Sequence, residues 1–344
     1  MTSAEKVAAI RARSRRRPHL MMLALLFLLV LGFFTRVLLG SYTVTLPDFF
    51  TIVGGGTLEG AKSATFIVME DKLPRAVLGI LVGLAFGAAG AIFQLLLRNP
   101  LASPDVIGIS GGASMSAVLA MVFWGAKGFS LSLYAMGGAL LTAFLVLGLA
   151  SGRGSVGNRF ILMGIGISAL CQAVVSYLMA RVSINQATTA SIWMSGSLAN
   201  ANWNRIEILC IALTLMTPLV LLFSRKLHMM AVGEDLAHSL GLAPNTVRWI
   251  YIVLGVLLAA AGTAAAGPVA FVAFVSGPIA RNLIGGQHSI TLSALVGALI
   301  MVFADFAAAE LIPGGNLPVG VITGALGAPI LIWLLVKAQK EQTA

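Results

Sequence analysis

Charge is nearly absent from long stretches of this chain. Ten runs can be drawn: Leu20–Leu39, Pro74–Leu97, Pro104–Trp124, Leu131–Ala150, Phe160–Met179, Ile206–Phe223, Trp249–Ala266, Val269–Leu283, Ile290–Ala309 and Val319–Val336. Each is 15 to 24 residues long and holds at most one Asp, Glu, Lys or Arg. A membrane-crossing helix needs about 20 apolar residues at a rise of about 1.5 Å each. Of the 344 residues 58% are hydrophobic and 10% charged, whereas a soluble domain carries about 25% charge. One soluble core cannot bury that much apolar surface, and disordered chains are polar rather than apolar. The pattern predicts an all-α polytopic membrane protein of about ten transmembrane helices.

The formal net charge of +10 follows from topology. Arg11, Arg13, Arg15, Arg16 and Arg17 precede the first run, which is too long for a signal-peptide core and lacks a cleavage site. It reads as an uncleaved first span with its basic end in the cytoplasm. Ten crossings then bring both termini to the cytoplasmic side. On that side fall Lys6, the five arginines, Arg98, Arg153, Arg159, Arg225, Lys226, Arg248, Arg281, Lys337 and Lys340, 15 residues against 7 opposite (Arg36, Lys62, Lys72, Arg75, Lys127, Arg181 and Arg205). The excess obeys the positive-inside rule.

Glycines at 79, 83, 87 and 90 share one helix face; small residues let helices approach closely in lipid, where the hydrophobic effect does not drive association. The segment starting at Leu78 (Leu-Gly-Ile-Leu-Val-Gly-Leu-Ala) echoes the one starting at Leu254 (Leu-Gly-Val-Leu-Leu-Ala-Ala-Ala). These two spans start on opposite sides, which hints at inverted halves.

Catalytic patterns are missing. Gly55 to Ser63 approaches a phosphate loop, but Ala61 separates Gly60 from Lys62 and no strand precedes it. Gly164 and Gly166 lie inside a span without a βαβ setting. His19, His228, His238 and His288 fall near span edges without metal-ligand spacing, and Cys171 and Cys210 sit in apolar runs as packing residues. Asp105, Glu207, Asp305 and Glu310 lie near span ends, so the span centres are almost uncharged. Ion-coupled carriers place ionisable groups mid-membrane; this pattern favours a pore powered from elsewhere.

Leu73 to Ser114 includes Leu-Leu-Leu-Arg-Asn-Pro-Leu-Ala-Ser-Pro-Asp-Val-Ile-Gly-Ile-Ser-Gly-Gly-Ala-Ser. It resembles the iron-siderophore and cobalamin (FecCD-type) permeases of type II ABC importers, and Arg98 to Asp105 is most like the ferric-catecholate siderophore branch. Trp-Met-Ser-Gly-Ser-Leu from Trp193, Gly-Pro-Val-Ala-Phe-Val from Gly267, Ile279-Ala-Arg281, Leu-Pro-Val-Gly-Val-Ile-Thr from Leu317 and Gly327-Ala-Pro extend the likeness over nearly all the chain after Tyr42. The resemblance implies an inverted-repeat permease of the bacterial cytoplasmic (inner) membrane that imports ferric siderophore by alternating access. It is a transport subunit, not an enzyme. Its partners are a second permease (paralogue or self), two cytoplasmic ATPase subunits that carry the ATP and Mg, and an extracytoplasmic siderophore-binding protein; this chain holds no cofactor or metal. Cobalamin or haem import is the alternative within the family, and an ion-coupled secondary transporter the alternative outside it. Two departures stand out: Ala309, where part of the family has an arginine, and Ser276-Gly277-Pro278, where many relatives have Pro-His.

The expected layout is a basic arm at 1–19, a permease domain at 20–337 with a coupling loop at about 225–247, and a tail at 338–344. Proline removes a donor and restricts its predecessor, so Asn99-Pro100 breaks the helix. Gln94, Arg98, Asn99, Pro100, Ser103, Pro104 and Asp105 then shape the cytoplasmic end of the pathway, or form a plain hairpin. Glu234, Asp235, Leu236, Ala237, Leu240 and Gly241 make a short helix with an apolar stripe. The resemblance makes it the element that contacts the ATPase; a membrane-surface helix is the alternative. Lys72 and Arg75 flank Leu73-Pro74, and the resemblance assigns them to docking the binding protein; the alternative is interfacial snorkelling.

Overall fold

The computed structural model describes residues 3–40, 42–56, 62–150, 156–312 and 317–343, and these form helices and connections. The first helix, α1 (Ser3–Leu38), runs unbroken through Pro18, so the expected basic arm is continuous with the first span. Two short helices follow, α2 (Leu46–Val53), capped by the Thr45 side chain, and α3 (Lys62–Phe66). A π-helical turn, Ile67–Lys72, leads into α4 (Leu73–Leu96). Next come α5 (Ile109–Trp124), α6 (Gly128–Ala150), α7 (Val156–Met179), α8 (Ile184–Met194) and α9 (Trp203–Val232). The chain ends with α10 (Glu234–Ser239), α11 (Pro244–Ala266), α12 (Val272–Leu283), α13 (Ile290–Phe306) with a second π turn at Ala307–Leu311, and α14 (Val319–Thr343).

Among the described residues seven helical stretches are long and apolar enough to cross a membrane; α5 and the first part of α14 are shorter apolar helices. The sequence reading missed α8. It begins with a capping box between Ser183 and Gln186, a polar start that span-length windows pass over.

The most buried helices, α4 and α11, form the centre. A Cβ on Gly83 would lie 2.4 Å from the Gly297 carbonyl oxygen, and one on Gly87 2.3 Å from that of Ser293. The stripe of small residues therefore seats α4 on the backbone of α13. On another side α4 meets α11 antiparallel. Phe86 touches Gly262, and Phe93 touches Gly255. The offset of 176 residues that relates Leu78 to Leu254 in the sequence echo also relates Phe86 to Gly262. A contact between equivalent positions is what a pseudo-twofold axis between two halves produces.

The two halves break in corresponding places. α4 is followed by the irregular segment 97–103 and a 3₁₀ turn, Pro104–Ile107; α11 is followed by 267–271. Among the described residues only Arg98 and Phe271 are non-glycine with positive φ, one in each break. Contacts also sort the helix ends onto two faces. One, here the basic face, joins Arg17 to the carbonyl of Leu283, Arg98 to that of Met230 and His228 to that of His288. The opposite face joins Arg36 and Arg75 to Asp305. This is the alternation of ends expected from the sequence; Arg153 lies outside the described residues.

Candidate functional site: a non-helical seam beneath a polar cavity

Depth along α4 can be read from its neighbours. Gly90 packs on Ala273, at 1.8 Å from a built Cβ to the carbonyl oxygen, and Gln94 donates to the Phe274 carbonyl (2.9 Å) and packs on Gly277. Thus α12 starts at the depth of Gly90, three-quarters of the way along α4, and runs beside it to the basic face. The eighth crossing, expected as Val269–Leu283, is a half-length helix of 12 residues, and the rest of that crossing is non-helical.

That non-helical stretch meets the turn after α8 and the first turns of α14. The Ser197 N–H donates to the Ala266 carbonyl (2.7 Å), and the Gly320 N–H to the Gly196 carbonyl (3.1 Å). A Cβ on Gly320 would sit 1.8 Å from the Ser195 oxygen, and one on Gly327 would strike the Phe271 ring. Gly196 (φ 72°) and Gly267 (φ 77°) hold left-handed backbone where each abuts a carbonyl of the other segment, those of Pro268 and Trp193 respectively. A side chain at either would be both strained and blocked. Leu198 packs on Gly79 of α4, which fixes the seam within the membrane-spanning depth. Irregular backbone at that depth is tolerated only where it is enclosed by protein or lines water.

A cavity of about 990 Å³ opens above the seam on the opposite face. Trp193, Ser197 and Ala266 belong to both. Its walls carry side-chain amides from Asn185, Gln186, Asn200 and Asn202, with Lys127 and Arg205 and, among the described residues, no Asp or Glu. Sequence reasoning missed this group because it comes from α8, two loops and the start of α9; Arg205 was counted only as a topology charge.

The residues expected at the basic-face end of the pathway fall around the first break. Arg98 donates to the Met230 carbonyl (2.8 Å) and so ties the break to the end of α9. The Asn99 carboxamide oxygen accepts from the Leu101 N–H (2.9 Å) in an Asx turn, and Pro100 is exposed beside it. Pro104 opens the 3₁₀ turn. Ser103 is buried, and the Asp105 carboxylate accepts from Ser110. Gln94 is buried between α4 and α12, acting as a clamp between helices.

Lys72 and Arg75 point inward. They are 2% and 5% exposed. The Lys72 ammonium donates to the carbonyls of Leu39 (2.8 Å) and Tyr42. Asp305 accepts from Arg75 (2.9 Å) and from Arg36 (2.7 Å), with Glu310 4.0 Å from Arg36. Their heads are occupied, so docking a partner through them requires this network to open. Arg36 was not singled out in the sequence, because its partner is 269 residues away.

On the basic face α10 packs on α9 and α11. Ala237 is fully buried, whereas Leu236 and Leu240, one turn apart, are 50% and 57% exposed. Gly241 (φ 80°) ends the helix with open space around it. The side chains of Glu234 and Asp235 lie outside the described residues.

Residues 27–337 match the model of the FecCD transport family. The chain belongs to that family. Among curated FecCD relatives, the ferric enterobactin transport system permease protein FepG of Escherichia coli is 36% identical over 88% of this chain and 91% of its own length. The Fe(3+)-citrate import system permease protein YfmE of Bacillus subtilis is 34% identical over 96% of this chain and 98% of its own. A solved structure described as an inward-facing conformation of a metal-chelate type ABC transporter superposes with a TM-score of 0.81 at 25% identity, over 92% of this chain and 98% of that one. The FecCD membership accounts for a polytopic permease without a nucleotide loop of its own.

Proposed function

We propose that this chain is the membrane-spanning permease subunit of an ATP-driven importer of ferric siderophores. The observation that carries the reading is the seam: two non-helical segments packed against each other and against the start of α14 at membrane depth, beneath a polar cavity. Such breaks are where transporter folds handle solutes. The relatives' names supply the substrate class, ferric complexes of enterobactin and citrate. The chain is a transport component and not an enzyme. It works in the bacterial cytoplasmic membrane with the basic face inward, in keeping with the positive-inside rule.

In this reading α10 is the foot on the ATPase. An exposed pair of leucines on a short helix held by a buried Ala237 suits a hydrophobic groove on a partner. ATP and Mg²⁺ bind to that partner, a second permease chain completes the pathway, and a siderophore-binding protein docks on the cavity face. Closure of two ATPase subunits shifts α10 and with it α9 and α11. Because α11 leads into the seam at Ala266, this movement is transmitted to the pathway.

The test is uptake by the reconstituted assembly. Radioiron delivered as ferric enterobactin or ferric citrate should accumulate with ATP, persist with an ionophore and stop when the ATPase subunit is left out. Uptake driven by an ion gradient through this chain alone, or uptake of cobalamin in place of ferric chelates, would overturn the reading.

A further inference from the structure

The guanidinium of Arg205 is 9% exposed, at the wall of the cavity. Its NH1 donates to the Ala265 carbonyl (3.2 Å) and its NH2 reaches the Gly128 carbonyl (3.5 Å), while Nε has no partner. Among the described residues no carboxylate pairs with it. The contrast is Arg75, also buried but answered by Asp305. Burying a charge without a counter-ion is costly, and two carbonyl dipoles only partly offset it. Among the described residues the cavity wall offers nothing negative: its charged lining residues are Lys127 and Arg205, with neutral amides around them.

Resting on the import reading above, we infer that Arg205 is an anion subsite for the substrate, the counter-charge being supplied by carboxylate or catecholate oxygens of a negatively charged ferric chelate held in the cavity. The amides of Asn185, Gln186 and Asn200 add neutral hydrogen bonds to the same oxygen-rich ligand, and Trp193 forms an apolar wall. A volume of about 990 Å³ is at the upper end for small-molecule pockets and suits a bulky chelate. A charge-assisted hydrogen bond in a desolvated setting is among the stronger polar contacts. The permease itself therefore discriminates by charge, favouring anionic chelates over neutral hydroxamate complexes.

The test uses the permease–ATPase assembly in phosphatidylcholine nanodiscs, where no lipid anion competes. Equilibrium binding of radioiron is measured as ferric enterobactin and ferric citrate, both anionic, and as a neutral ferric tris-hydroxamate. Arg205→Gln should lower the anionic-to-neutral affinity ratio about tenfold or more, as loss of one charge-assisted contact predicts, and Arg205→Lys should restore much of it. Because Arg205→Gln could fail to fold, Asn200→Asp is a second arm: a new carboxylate in the cavity should pair with Arg205 and lower the same ratio. A native ratio in either folded variant overturns the subsite. Absence of uptake of every ferric chelate by the native assembly defeats the import reading itself, which separates the two failures.

Discussion

Asp305 is the residue on which the opposite face depends. It is 2% exposed and accepts from two arginines that come from α1 and α4. Removing one member of a buried ionic group leaves the others uncompensated, at about 3–5 kcal/mol. Asp305→Asn is therefore expected to lower thermal stability in detergent sharply. Replacing Arg36 and Arg75 by Met together with Asp305→Leu should recover much of the loss, since well-packed apolar groups often substitute for a buried ionic cluster at little cost. An Asp305→Asn protein that melts with the native one would show the network to be dispensable. A single sequence did not disclose this arrangement. Asp305 and Glu310 were visible as charges at a span end, but their pairing with Arg36 depends on α1 and α13 lying side by side.

At the scale of elements, α10 and the seam behave differently. Six residues are too few for an isolated helix in water, so α10 exists because Ala237 is buried against the bundle and Gly241 ends it. Its exposed face can change without a folding penalty, since surface substitutions usually lie within about 0.5 kcal/mol. Leu236→Glu combined with Leu240→Glu should leave the melting temperature within a degree or two of native and weaken association with the ATPase subunit about tenfold or more, as loss of a central apolar anchor does. Pull-down and ATPase stimulation measure this, and undiminished coupling would remove α10 from the interface. The seam was only half legible. Its motifs (Trp193 to Leu198, Gly267 to Val272, Leu317 to Thr323) were recognisable in sequence. Their mutual packing was not, because it joins backbone from segments far apart in the chain.

For the whole molecule, the two faces make a direct prediction of topology. With Cys171 and Cys210 replaced by Ser, Lys127→Cys at the cavity mouth should react with an impermeant thiol reagent in intact cells. Gln287→Cys on the basic face should react only after permeabilisation. Both positions are exposed, so a reversed labelling pattern would invert the orientation proposed above. The same arrangement explains why the molecule is a conduit without an engine. In the proposed function the pathway elements are backbone breaks and amides around a cavity, and α10, the element assigned to the ATPase, lies at the other end, linked to the seam through α11.

By itself the sequence determined the solvent, the helical class, the approximate number of crossings and the family, because hydropathy, charge bias and motif identity are local and additive along the chain. It also held the trace of inverted halves in the echo between Leu78 and Leu254. The tertiary structure alone decided that α12 is a half-length helix, that Lys72 and Arg75 turn inward, and that Arg205, beside a cavity, has no carboxylate partner among the described residues. Those outcomes depend on which backbones approach closely enough to exclude side chains and which charges meet across more than two hundred residues, and no window along the chain contains that information.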